Sequence, residues 1–255
     1  MSSWEMVAIL LAGVGAGTIN TVVGSGTLIT FPTLLAFGVP PVTANVSNTL
    51  GLVPGSVSGA IGYRRELRGQ RARLLKLGVA SLLGGATGAV LLLVLPAGAF
   101  DAIVPVLIGL GCVLVVLQPA IARRVAAAAV ARGSTVPEHG ALWVWVAVYL
   151  TGIYGGYFGA AQGVLLMAIM GIGIPDTLQR LNGTKNVLAL LVNGVAAVVF
   201  VFVADINWAV AGLIAAGAII GGQIGATVGR RLPPVLLRVV IVVVGVTALT
   251  AFYAA

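Results

Sequence analysis

The stretch Gly84-Gly85-Ala86-Thr87-Gly88-Ala89 recurs as Gly221-Gly222-Gln223-Ile224-Gly225-Ala226, and Pro96 stands eight residues after Gly88 as Pro233 does after Gly225. Self-similarity at a fixed interval marks a duplicated unit, and it dictates the architecture. The interval is 137 residues, and other positions keep it: Gly15 with Gly152, Gly26 with Gly163, Leu28 with Leu165, Asn45 with Asn182, and the hydroxyls of Ser47 and Thr184. Glycines spaced in this way let helix backbones approach closely, which is how helices associate in lipid.

The composition agrees with a lipid solvent. Of 255 residues 60% are apolar and 8% charged, where a soluble domain carries roughly a quarter charged. Mean hydropathy is +1.14. Apolar runs cover 4–23, 28–37, 42–61, 74–95, 102–122, 141–158, 164–174, 187–203, 208–228 and 235–253. A spanning helix needs about 20 apolar residues, so most runs can cross, but those beginning at Leu28 and Val164 are too short to cross alone. Each follows a glycine-rich break, Gly24-Ser25-Gly26 and Gly159-Ala160-Ala161-Gln162-Gly163, and reads as half of a re-entrant hairpin. Met1 to Met6 holds Glu5 and no basic residue, which argues against a cleaved signal peptide.

The balance of 14 basic to 6 acidic residues is a matter of topology and does not point to nucleic acid. Arg64, Arg65, Arg68, Arg71, Arg73 and Lys76 fill one loop, Arg123, Arg124 and Arg132 a second, Arg230, Arg231 and Arg238 a third. The positive-inside rule puts these in the cytoplasm and the turns near Pro40, Pro96 and Asp205 outside. The run at 74–95 then points outward and its counterpart at 208–228 inward, so the halves are inverted. Parity makes 4–37 a hairpin entering from outside and 141–174 one entering from inside. The expected fold is an all-α polytopic membrane protein with two inverted-topology repeats. Each is a broken helix hairpin plus three transmembrane helices, giving about eight to ten membrane elements. The first repeat is expected at 1–122, a cytoplasmic linker at 123–140 and the second repeat at 141–255. Inverted repeats with broken helices are the architecture of secondary transporters, whose site lies near the midplane.

Polar residues cluster where the hairpins break and where the next helix opens. The first half supplies Asn20, Thr21, Ser25 and Thr27 at the tip and Asn45, Ser47, Asn48 and Thr49 after Pro40-Pro41. The second half supplies Gln162 at the tip, then Asn182, Thr184, Lys185 and Asn186, with Asn193 farther along. Unpaired polar groups in lipid cost several kcal/mol, so such clusters pair with each other or face a cavity. Glycine-exposed backbone, helix starts, amides and hydroxyls together suit an anion. The plainer reading is that these small polar residues only join helices. Lys185 is either an interfacial lysine reaching the cytoplasmic surface or the one fixed cation available to the anion.

Other chemistry is disfavoured. Glu5, Glu66, Asp101, Glu138, Asp176 and Asp205 all fall at helix ends or loops, leaving no intramembrane carboxylate for a proton relay or a cation substrate. Cys112 is the sole cysteine and His139 the sole histidine, so no metal, cofactor or nucleophile–base arrangement is expected, and no enzyme.

The run Gly15-x-x-x-x-Asn20-Thr21-Val22-x-Gly24-x-Gly26-x-Leu28 is followed by Phe31-Pro32-x-Leu34-Leu35-x-x-Gly38-x-Pro40-Pro41, Ala44-Asn45-x-Ser47-Asn48-Thr49 and Gly59-x-x-Gly62-Tyr63-Arg64-Arg65-Glu66-Leu67. This pattern resembles the TauE/SafE family of sulfite exporters, also called the toluenesulfonate uptake permease family. The likeness covers nearly the whole chain, with a looser match at 182–193. It implies a multi-spanning permease for small sulfur-containing anions such as sulfite or organosulfonates in a bacterial inner membrane. An anion channel, or a permease of the same fold for another small carboxylate or oxyanion, remains the alternative. Homo-oligomerisation through small-residue faces such as Gly84-Gly85-x-x-Gly88 also stays open.

Overall fold

The computed structural model describes residues 1–132 and 137–228 and, beyond them, 239, 241–244 and 246–247. Nine helices are delimited among the described residues. In chain order they are α1 (Ser3–Val22), α2 (Thr27–Ala36), α3 (Pro41–Gly62), α4 (Arg71–Val94), α5 (Ala97–Arg132), α6 (Leu142–Tyr157), α7 (Gln162–Gly173), α8 (Leu178–Val203) and α9 (Trp208–Thr227). The protein is an all-helical, multi-pass membrane protein. Five of these helices, α1, α4, α5, α8 and α9, are long and apolar enough to cross a membrane.

Local chemistry starts the helices, and for α8 it does so at Leu178, ahead of the apolar run expected at 187–203. Ser2 and Glu5 form a reciprocal capping box on α1, Pro41 opens α3, and Thr177 and Asn207 cap α8 and α9 through their side chains. The two short elements are α2, with 10 residues, and α7, with 12. Other boundaries differ from expectation too. Helix α5 continues to Arg132, so the linker expected at 123–140 is helical over its first part, an alanine-rich run that keeps the helix going. Arg71, Arg73 and Lys76 lie on the first turns of α4 and not in a loop. Arg230, Arg231, Pro233 and Arg238, and most of the run expected at 235–253, lie outside the described residues.

Helix α9 runs alongside α1 and α3 in the same direction. A methyl on Gly13 would stand 2.9 Å from the Ile214 carbonyl oxygen, one on Gly17 2.5 Å from that of Ala218 and one on Gly225 2.7 Å from that of Thr18. Along α3 the matching approaches are Gly51 to Ile214, Gly55 to Ala218 and Gly62 to Ala226. Helix α4 runs in the same direction as α6, with Gly84 against Gly152, Gly85 against Gly156 and Gly88 against Ile153 and Tyr157; on its other side Gly78 meets Leu191 and Gly85 meets Val192 of α8. The partners of α9 and of α4 are thus related by the same 137-residue interval. Each GGxxGA run is the surface on which α4 or α9 receives the first helix of the other half's hairpin.

The ends of the two sets meet head to tail. The end of α3 lies at the start of α8, where Gly183 faces Tyr63, Glu66 and Leu67. At the opposite face the starts of α3 and α9 are joined by the Asn207 N–H donating to Ser47 Oγ at 2.9 Å. At the arginine-rich end Arg73 pairs with Asp176 at 2.6 Å and Lys76 donates to the Gly140 carbonyl at 2.7 Å.

Candidate substrate site at the hairpin tips

The two hairpin tips touch. The Gly163 N–H donates to the Gly24 carbonyl at 3.0 Å, and a methyl on either glycine would collide with the other's backbone. Gly24 adopts φ +86° and Ala161 φ +60°, and 137 residues separate them, so the two tips turn with the same left-handed residue. Glycine takes that conformation freely, whereas alanine is strained there. One expected anion donor is therefore spent, since the Gly163 amide belongs to the tip-to-tip contact.

Asn45 and Asn182 are each the fifth residue of their helix, and each reaches across to the opposite hairpin. Asn45 Nδ2 donates to the Tyr157 carbonyl at 2.9 Å, and Asn182 Nδ2 to the Thr21 carbonyl at 3.4 Å and to the Tyr63 hydroxyl at 2.7 Å. The last carbonyls of any helix lack partners within it, and these amides supply them at the ends of α6 and α1. Both are cross-braces between halves.

Lys185 is completely buried and points inward, which decides against the interfacial lysine. Its Nζ donates to the Asn20 and Thr21 carbonyls, each at 3.1 Å, and Asn186 Nδ2 adds a bond to Thr21 at 3.3 Å. The ammonium thus sits at the carbonyl end of α1, the negative pole of that helix. Its counterpart by the interval, Asn48, accepts from Thr30 and donates to Thr27 at 3.4 Å, tying α3 to α2.

Not every residue singled out in the sequence reaches the tips. Ser47 belongs to the α3–α9 junction, Thr184 bonds Gln70 Oε1 at 2.9 Å, Asn20 Nδ2 turns to Ser56 at 3.5 Å, Thr49 is buried in α3, and Asn193 is half-buried farther along α8. In the tip segments and the helix ends that flank them, Ser25 Oγ, Gln162 Nε2 and the Tyr157 hydroxyl are buried donors without a hydrogen-bond partner, as are the acceptors Asn45 Oδ1 and Asn182 Oδ1. Buried polar groups are ordinarily paired, so this concentration marks where a polar ligand gains most. Phe31 and Phe158 pack edge to face at 5.0 Å beside it, and Phe100 lies 5.8 Å from the Tyr157 ring.

Sequence reasoning missed Tyr157, Tyr63 and the Gln70–Arg73 pair. The repeat interval carried a signal for the first, because it sets Tyr157 opposite Asn20. Nothing comparable marked Gln70, which sits between arginines.

Residues 9–252 match the family described as Sulfite exporter TauE/SafE. The chain is 26% identical over 242 residues to the probable membrane transporter protein ORF9 of Sinorhizobium sp, covering 91% of this chain and 85% of that protein. It is 26% identical over 257 residues to the probable membrane transporter protein YfcA of Escherichia coli K12, covering 95% and 90%. A probable membrane transporter protein of Haemophilus influenzae is 24% identical over 250 residues, covering 94% and 91%.

Proposed function

The chain belongs to the sulfite exporter TauE/SafE family of membrane transporters, and from that premise we propose that it carries small sulfur-containing anions, sulfite or organosulfonates, across a bacterial inner membrane. The observation that carries this reading is the meeting of the two hairpin tips, with three unpartnered buried donors and one buried lysine around it. Ser25, Gln162 and Tyr157 would donate to sulfonate oxygens, while Lys185 compensates the charge. A compact oxyanion accepts from several directions at once, which amide, phenol and hydroxyl donors satisfy. Asn45 and Asn182 hold the tips in register for those donors.

The mechanism is alternating access between two inverted repeats. It is supported by helices of one half running alongside those of the other and by packing that recurs at the 137-residue interval. Rocking one half against the other shears the Gly24–Gly163 contact and opens the site to each side in turn. With no carboxylate among the described residues bonded to Lys185, the substrate anion is its natural counter-charge.

The test is flux of sulfite and a panel of sulfonates into proteoliposomes. Wild type is expected to give saturable flux of one sulfur anion. Asn45→Ala and Asn182→Ala should each lower it at least tenfold by releasing a tip, and Lys185→Ala should abolish it. Folded protein that moves none of these anions refutes the substrate class. Unchanged KM and rate in Lys185→Ala refute the lysine's part in binding.

A further inference from the structure

We propose that the cavity at the arginine-rich end is a second anion site, an antechamber to the central one, and that Asp176 is its door. The cavity measures about 200 Å³ and lies between the α3–α4 turn, the start of α4, residues 137–140 and the α7–α8 turn, with Gln70, Arg73, Glu138, His139, Asp176 and Arg180 along its wall. A water molecule's share of liquid volume is about 30 Å³, so a small oxyanion fits. The inference rests on the reading that the protein carries such anions.

Arg73 is the centre of this site. It is 3% exposed, and its guanidinium donates to Asp176 at 2.6 Å, to Gln70 Oε1 at 2.5 Å and to the Glu138 carbonyl at 3.0 Å, while its Nε–H has no partner. Arg180 Nε donates to the same Asp176 carboxylate at 3.1 Å, and the Thr177 N–H adds a bond at 2.8 Å. Two fixed positive charges therefore converge on one carboxylate, with the exposed residue Glu138 also on the cavity wall. Partial burial alone would raise the pKa of Asp176. The bonds from Arg73, Thr177 and Arg180 outweigh it and hold the carboxyl below its ordinary range, so the group stays ionised. The spare Nε–H of this buried guanidinium is a donor for a further anion. A forked guanidinium that binds a carboxylate binds a sulfonate or other oxyanion by the same geometry.

Asp176 thus stands where such an anion would bind, as a tethered competitor. Behind it the bonds lead inward: Gln70 Oε1, held by Arg73, also accepts from Thr184, and Lys185 is the next residue. An anion that takes Arg73 and Arg180 from Asp176 frees the α7–α8 turn from α4 and loosens Gln70 from Thr184. The ion pair is then a latch that the substrate class itself undoes.

Thiol accessibility tests this without any transport. In a Cys112→Ser background, Thr184→Cys puts a thiol behind Gln70, and a small neutral maleimide added to detergent-solubilised protein reads how often the cavity opens to it. Asp176→Asn is expected to raise the labelling rate by about tenfold, and Asp176→Glu to return it near the starting value. With Asp176 intact, methanesulfonate should accelerate labelling several-fold over chloride at equal ionic strength. Unchanged labelling in a folded Asp176→Asn protein overturns the latch, and equal acceleration by chloride and methanesulfonate overturns the anion site. The measurement with Asp176 intact decides the matter even if Asp176→Asn does not fold. Flat labelling beside normal sulfur-anion flux faults this inference alone. Methanesulfonate-dependent labelling without flux of any sulfur anion faults the transport reading instead.

Discussion

Gly24 and Gly38 both hold positive φ, +86° and +74°, yet their surroundings differ. At Gly38 an added methyl meets nothing within 4 Å, whereas at Gly24 it would run into Gly163. Gly38→Ala therefore carries only the cost of a left-handed alanine, about 1 kcal/mol. Gly24→Ala adds the collision of two backbones, and neither tip can retreat without breaking the Gly163-to-Gly24 bond. The expected result is a near-normal melting temperature and flux for Gly38→Ala. Gly24→Ala should lose about 3 kcal/mol or more and nearly all flux. Equal behaviour of the two variants would mean that the tips do not need to touch. At this scale the sequence was informative about residue type and silent about partner. Asn45 and Asn182 stood out because amides are costly in lipid. That each braces the opposite hairpin depends on contacts 112 and 161 residues apart along the chain, which no local pattern encodes.

Helix α9 carries an internal control for close packing. Gly212 faces open space, but a methyl on Gly221 would press into the Val14 carbonyl of α1. Gly212→Ala should be neutral or gain up to about 1 kcal/mol from helix propensity, while Gly221→Ala should cost about 1–3 kcal/mol by forcing α1 off α9. Gly84→Ala, whose methyl would press into the Tyr149 carbonyl of α6 in the same way, should match Gly221→Ala. Chemical unfolding in detergent reads all three, and a Gly84→Ala penalty close to that of Gly212→Ala would break the equivalence of the two GGxxGA surfaces. Element existence was legible because apolar runs and glycine breaks are local signals. Helix α3 was harder: its 22 residues include Asn45, Ser47, Asn48 and Thr49, and it is not among the five helices apolar enough to span. It tolerates that polarity because α8 and α9 cover it. The end of α5 lies beyond the apolar run expected to 122, because Arg123 and Arg124 resemble a loop when only charge is considered, whereas alanines around them sustain a helix to Arg132.

For the whole molecule, packing fixes which helix ends share a face, and charge chooses which face is inside. Helices α1, α3 and α9 run in one direction, so Ser2 and the turn at Asp205 lie at one end. Arg65 and Glu138 lie at the other, the latter through the Arg73 bond to the Glu138 carbonyl. That grouping needs only contacts, whereas the assignment of sides needs the positive-inside rule. Single cysteines at these four exposed positions, in a Cys112→Ser background, test both statements with a membrane-impermeant thiol reagent on intact cells. Ser2→Cys and Asp205→Cys should label from outside, and Arg65→Cys and Glu138→Cys only after the membrane is opened. The same two pairs with sides exchanged would leave the fold intact and reverse its insertion, so that the Arg73–Asp176 pair would face the exterior. Ser2→Cys and Arg65→Cys labelling from one side would do more damage. It would mean that α3 does not carry the chain to the arginine-rich face, and the proposed inverted halves could not enclose a common site.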